Sequence, residues 1–280
     1  MTVFIVTATF NRVDHLHTFI SQLQSQKSVE NLKFILVDSG STDGSIQLIQ
    51  SMMKSDSRFE LVTGKNNWWW ARAAHEGLAK ALHRATADDI IVLLNDDVRI
   101  AEDFIEIGCQ LLRQHPKSIW GSALRVDTGE TELAVMRDLV DFSVYALQNV
   151  NLPEPYEQDL VSGRGAFFPV SVFSDGANIR YKKLPHYLAD YDLSSQAKKL
   201  GYSLLGSSKL FVASGSEFGN SHSRNMTLSW KIFATQSAFR LVSQYHFWHS
   251  ESGFSKGRTA ALLLWFRLRA LIMRTSKHNC

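Results

Sequence analysis

The stretch "VLLNDDV", Val92–Val98, closes a run of branched apolar residues with an amide and two adjacent carboxylates. A short continuous apolar run of this kind suits a strand covered on both faces, as in a parallel sheet flanked by helices. Asn95, Asp96 and Asp97 then lie at the carboxyl end of that strand, the edge at which α/β sheets bind ligands. On its N-terminal side, β-rich and helical patterns alternate: "TVFIVTA", "DHLHTFISQLQSQ", "KFILVD", "GSIQLIQSMMK", "FELVTG" and "WARAAHEGLAKALHRA". "EDFIEIGCQLLRQ" follows as a further helix. Strand and helix in repetition predict a mostly parallel central sheet with helices on both faces. After Ser118 the rhythm changes to "IWGSALRV", "TELAVM", a loop around "LPEPYEQD" and "GAFFPVSVF", which read as mixed strands and short helices completing the same domain. The last segment, "KGRTAALLLWFRLRALIMR", Lys256–Arg274, reads as a helix whose apolar face is interrupted by arginines; it is too short and too charged to span a bilayer. The expected organisation is one α/β domain over residues 1–250 and an amphipathic basic helix over 251–280.

The 280 residues are 45% hydrophobic, enough for a sizeable core, so an intrinsically disordered chain is excluded. A formal net charge of +3 suits an anionic ligand or a membrane surface, and no stretch resembles a nucleic-acid-binding arm. The only cysteines, Cys109 and Cys280, form neither a disulfide framework nor a zinc spacing, which favours a reducing compartment. The chain enters its first strand without a basic region or long apolar stretch, so a cytoplasmic protein is expected, with peripheral association at the inner face of the membrane as an added role for the tail.

The turn after the first strand, "ATFNR", Ala8–Arg12, has no glycine, so the G-x-G-x-x-G fingerprint of dinucleotide binding is absent. Gly64 and Lys65 precede Asn66 rather than Ser or Thr, so the Walker pattern is absent too. In "VDSGSTDGS", Val37–Ser45, Asp38 ends a strand, Gly40 permits an unusual turn, and Ser41, Thr42 or Asp43 can cap the next helix. A carboxylate at Asp38 can accept hydrogen bonds from a base or ribose. Asp96 and Asp97 repel one another, and a divalent ion with hard oxygen ligands, magnesium or manganese, is a natural compensation. Trp68, Trp69 and Trp70 cannot all face a core, and a tryptophan in a cleft stacks on a sugar ring. Arg72, nearby, is either a solvated arginine on the helix or a cation available to an anionic ligand.

Taken in order, these segments resemble a family 2 glycosyltransferase of the GT-A fold, rhamnosyltransferase-like in type. "VTATFNR" is similar to its opening strand, "VDSGSTDGS" to its nucleotide-binding turn, "NWWWARAAHEG" to its segment before a helix, and "LLNDDV" to its D-x-D site. "SGRGAFFPVSVF" resembles its acceptor-side loop and "HYLADYDLSSQAKKLGY" its E-D-x-D-L segment. The chain departs from the pattern in having Ala8 for proline, Asn95 at the first D-x-D position, Ala189 for glutamate, and Ala74 and His75 for a polar pair.

The resemblance implies a metal-dependent, inverting transfer of a sugar from a nucleoside diphosphate donor, UDP- or dTDP-linked. The acceptor would be the hydroxyl of a saccharide or lipid-linked saccharide in surface polysaccharide or glycolipid assembly. It assigns Asp190 as catalytic base and Thr9, Asn11, Arg12, Asp38, Ser41, Asn67, Trp70, Arg72, Asn95 and Asp96 to the nucleotide sugar. Asp97 and His222 would hold Mn2+ or Mg2+. A nucleotidyltransferase, or a degenerate GT-A domain that only binds sugar or membrane, are the rival readings.

Overall fold

The computed structural model describes residues 1–26, 31–215, 233, 234, 237 and 240–276, with side chains to 266. The first part is built from β1 (Val3–Thr9), α1 (Val13–Gln24), β2 (Leu32–Asp38), α2 (Ser45–Ser55), β3 (Phe59–Thr63), α3 (Trp70–Leu82), β4 (Ile90–Leu93) and α4 (Phe104–Gln114). Strands β3, β2, β1 and β4 lie side by side in that order, all parallel. Parallel neighbours require crossover helices, and these cover both faces of the sheet.

Side-chain alternation divides each strand between two cores. Phe4 and Val6 of β1 join Ile35, Val37, Ile91 and Leu93 beneath Ala71, Ala74 and Leu78 of α3. Val3 and Ile5 join Phe34, Leu36, Ile90 and Val92 above Leu16, Phe19 and Leu23 of α1 and Phe104 of α4. Cys109 packs in this second core, and burial pushes its thiol up to about 11, as befits a packing residue rather than a nucleophile.

The later part adds β5 (Ser118–Val126), β6 (Thr131–Asp138), β7 (Ser143–Gln148), β8 (Tyr156–Glu157), β9 (Ala166–Pro169), α5 (Ser171–Ser174), α6 (Ala189–Lys199), β10 (Ser203–Ser214), α7 (Leu241–Ser252) and α8 (Lys256–Ser276). The sheet continues from β4 through β9, β5 and β10 to β8, with β6 paired to β5 and β7 to β6. β9 runs antiparallel between β4 and β5, whereas β10 runs parallel to β5. The result is a central sheet, parallel on one side and mixed on the other, flanked by helices.

Residue 250, the expected end of the main domain, falls within α7. Phe247 and Trp248 of α7 and Leu263 of α8 are buried in the same core as α3. The fully buried Glu251 carboxylate accepts hydrogen bonds from Arg137 of β6, from Ser195 Oγ of α6 and, at 2.8 Å, from Lys199 Nζ of α6. A buried carboxylate is tolerable only with such partners, so these contacts lock α7 onto the sheet and α6. Arg180 joins Asp192 of α6 to Ser250 in the same way.

Candidate active site

A cleft of about 630 Å³ opens at the carboxyl ends of β1 and β4. It is lined by the β1 end (Ala8, Thr9), the β4 end (Asn95, Asp96, Asp97), the three tryptophans, the loop before β9 (Ser162, Arg164) and the turn into α6 (His186 to Leu188, Asp190). Phe142, Gln244 and Trp248 close the remaining side. The apolar run of β4 thus ends in carboxylates because its end is the floor of a cleft, beyond the covered part of the sheet.

Arg12 stands between the two carboxylates. Its Nη1 lies 2.8 Å from Asp96 Oδ1 and 3.2 Å from Asp97 Oδ2. Burial raises the Asp96 pKa, the neighbouring Asp97 charge adds to this, and the Arg12 guanidinium opposes it. A side-chain cation therefore supplies part of the compensation for which a divalent ion was the natural candidate in the sequence. The other two oxygens, Asp96 Oδ2 and Asp97 Oδ1, are buried with no hydrogen-bond partner. Buried anionic oxygens are costly to leave unpaired, and hard oxygens of this kind suit Mn2+ or Mg2+. Asn95 is held differently: its Oδ1 accepts a hydrogen bond from Trp70 Nε1 at 2.9 Å.

Asp190 sits in the first turn of α6, just after Leu188, whose φ of +70° is strained for a branched residue. Its Oδ2 accepts the Gly163 N–H at 2.8 Å and its Oδ1 the Tyr191 N–H at 3.0 Å. Burial raises its pKa, and these two main-chain donors pull the other way. A Cβ at position 163 would lie 2.7 Å from Trp70 Cζ2, so only glycine lets the loop approach both Trp70 and Asp190. Asp192, two residues on, is instead engaged in the Arg180 ion pair.

Of the residues expected to contact a nucleotide sugar, Thr9, Arg12, Trp70, Asn95 and Asp96 line the cleft together with Asp97 and Asp190. Asn11, Asp38 and Ser41 instead build the turn beside it. Asp38 Oδ1 accepts the N–H groups of Gly40 and Ser41, Ser41 Oγ accepts that of Asn11, and Asn11 Oδ1 accepts that of Thr42. Gly40 adopts φ +87°, the left-handed turn for which glycine is suited. Asp38 Oδ2 remains buried without a partner. Asn66 rather than Asn67 reaches the cleft wall. Arg72 is absent from the wall; its guanidinium lies 4.8 Å from the Trp68 ring centroid and 5.3 Å from that of Tyr181, with Glu76 3.4 Å from its Nε. His222 lies outside the described residues.

Two basic side chains in the wall were not singled out from the sequence. His186 packs against Trp69 and Tyr187, and its buried Nδ1 has no hydrogen-bond partner. Burial, and then the charge of Arg12, lower its pKa to about 4, so the ring is neutral at pH 7. Arg164 stands between Gly163 and Gly165 in "SGRGAF", where a lone charge flanked by glycines ahead of a buried strand was the available signal. For His186 in "LPHYLADYD" no local pattern marks the residue.

Comparison with known proteins bears on the family and the fold. Residues 4–175 match the family model of glycosyl transferase family 2. An uncharacterized glycosyltransferase of Haemophilus influenzae is 34% identical over 111 residues, 40% of this chain and 42% of that protein, so the match spans less than half of the relative. Among solved structures, the mannosyltransferase PcManGT of Pyrobaculum calidifontis, in complex with GDP-Man and Mn2+, superposes with a TM-score of 0.59 at 15% identity, covering 96% of this chain and 75% of that one. GalNAc-T7 with UDP, GalNAc and Mn2+ gives 0.66 at 11% identity, over 99% and 57%. The S. aureus TarS fragment 1-349 in complex with UDP-GlcNAc gives 0.60 at 12% identity, over 95% and 71%. At these identities the structures bear on the fold, which is that of GT-A glycosyltransferases. The family match over more than half of its length makes this chain a member of glycosyl transferase family 2.

Proposed function

We propose that the cleft transfers a sugar, with inversion, from a UDP- or dTDP-linked donor to an acceptor hydroxyl. The observation that carries this reading is the presence, in one cleft, of a buried carboxylate pair with two unpartnered oxygens and a separate carboxylate oriented by main-chain N–H groups. The first arrangement suits a diphosphate that arrives with a divalent ion; the second suits a base. Asp190 takes the acceptor proton as the hydroxyl oxygen bonds to the anomeric carbon. The bond from that carbon to the diphosphate oxygen breaks, and its electron pair leaves with the diphosphate. A single displacement of this kind inverts the anomeric centre. Asp96 Oδ2 and Asp97 Oδ1 are the oxygens that would hold Mn2+ or Mg2+, an ion that offsets charge on the leaving diphosphate when bound. His222 is the further ligand assigned by resemblance. Trp68, Trp69 and Trp70 give the donor sugar aromatic walls.

The acceptor reading extends to a lipid-linked saccharide in surface polysaccharide or glycolipid assembly. Its support is α8, which leaves Lys256, Arg258, Leu264 and Trp265 exposed, a composition suited to the interface of an anionic membrane. No helix among the described residues is long and apolar enough to cross a membrane. Thermal melting with a panel of nucleoside diphosphate sugars, with and without Mn2+, tests the enzymatic reading. One or more of them should raise the Tm only when the ion is present, and no rise with any of them would overturn it.

A further inference from the structure

The cleft contains two guanidinium groups in very different electrostatic settings. Arg12 is held by Asp96 and Asp97. Arg164 also lines the cleft, half-buried, yet among the described residues no carboxylate lies within ion-pair distance of it. Its charge is felt at Asp190, Tyr187 and Tyr191. The residue next to it, Gly163, donates its N–H to Asp190. Arg164 therefore belongs to the base's side of the cleft, where the attacking hydroxyl must lie, and Arg12 to the side of the Asp96 and Asp97 pair.

A partly desolvated arginine without an acidic partner favours an anion, and its planar fork matches two phosphate oxygens at once. Tyr187 and Tyr191, which feel its charge, and Phe142 and Trp248 elsewhere in the cleft wall are aromatic and suit a sugar ring or an apolar chain. We infer that Arg164 is an acceptor-specificity residue and that the acceptor carries a phosphate group close to the hydroxyl that is glycosylated. This rests on the transferase reading of the cleft, and deepens it by giving the acceptor a charge. The phosphate comes either from a soluble phosphorylated saccharide or from a phospholipid-like carrier, and both present the same oxygens to the guanidinium.

The test is calorimetric, on the full chain, with wild type, Arg164→Gln and Arg164→Lys. The probes are α-glucose 1-phosphate, farnesyl phosphate in neutral detergent micelles and uncharged methyl α-glucoside, with UDP plus Mn2+ titrated in parallel. At least one phosphorylated probe should bind wild type and weaken about tenfold or more in Arg164→Gln, with part of the affinity kept in Arg164→Lys and the glucoside unaffected. Binding of glucose 1-phosphate then identifies a soluble acceptor, and binding of farnesyl phosphate alone a lipid carrier. Absence of binding of both phosphates to wild type, or equal binding by wild type and Arg164→Gln, overturns the inference. So does a tenfold loss of UDP affinity in Arg164→Gln, which would place the arginine on the donor. If UDP with Mn2+ fails to bind wild type while the phosphate result holds, the donor reading falls and the anion site stands.

Discussion

At the end of β4, Asp96 and Asp97 are ion-paired to a side-chain cation, whereas at the start of α6 Asp190 accepts hydrogen bonds from the N–H groups of Gly163 and Tyr191 and, among the described residues, forms no ion pair. The first centre is compensated by a full charge that can be moved: a guanidinium on a flexible stem, leaving two oxygens of the pair without partners. The second is held by fixed dipoles belonging to the backbone, so its carboxylate is oriented without a direct cation partner among the described residues. The difference fits two tasks. A group that must exchange one cation for another benefits from a mobile partner, while a base must keep its proton affinity and its direction.

The sharpest way to break this comparison is at the second centre. Asp190→Asn keeps the shape and an oxygen to accept the Gly163 N–H, but it cannot take a proton. Transfer should fall by about a hundredfold or more with donor affinity unchanged, measured as turnover at saturating acceptor beside calorimetry of donor binding. Turnover within a few-fold of wild type would place the base elsewhere. The pH profile sharpens the same point. Burial raises the Asp190 pKa, so the protonated, inactive form persists to higher pH than for an exposed aspartate, and activity should decline on acidification with an inflection shifted upward from that of an exposed aspartate.

At the first centre the expected effect is on binding. Asp97→Ala should reduce Mn2+-dependent UDP affinity by tens of fold, roughly 2 kcal/mol, with the fold intact. Unchanged metal-dependent binding in calorimetry would show that the pair is satisfied by Arg12 alone and that the two centres do not divide the work in this way.

The smallest expected effect comes from His186, the group whose proton affinity is set by burial and by the charge of Arg12. Its folded pKa, about 4, lies below the ordinary 6.5, so the unfolded chain takes up a proton in that interval and the folded chain does not. This contribution to stability is present above pH 6.5 and is lost as pH falls toward 4. His186→Phe should abolish that loss, and the wild-type Tm should drop by roughly 2–4 °C more than the variant's between pH 7 and 4.5. Parallel curves for the two proteins would mean that the ring is solvated and protonates normally.

The order of strands and helices as far as α4 was legible because parallel strands covered on both faces are written as unbroken apolar runs, and the covering helices as repeats of three and four. The resemblance of "HYLADYDLSSQAKKLGY" singled out Asp190, and the structure puts that residue in the cleft wall. Arg72 was misplaced in the cleft because a helical pattern gives a residue's spacing but not its rotation against tertiary neighbours. Trp68 and Tyr181, separated by more than a hundred residues, together draw the guanidinium away.

What the sequence determined alone, then, is whatever depends on local periodicity and on the residue types at strand ends: the α/β alternation, the acidic end of β4, the glycine turn after Asp38 and the family. What only the tertiary structure decided depends on chain segments meeting across long separations. Arg12 reaches Asp96 over 84 positions. Gly163 orients Asp190 over 27. Glu251 fastens α7 to β6 over 114, within the segment where sequence reasoning ended the domain. Pairings of this kind leave no periodic trace, because electrostatic and hydrogen-bond partners are chosen by position in space rather than by spacing along the chain.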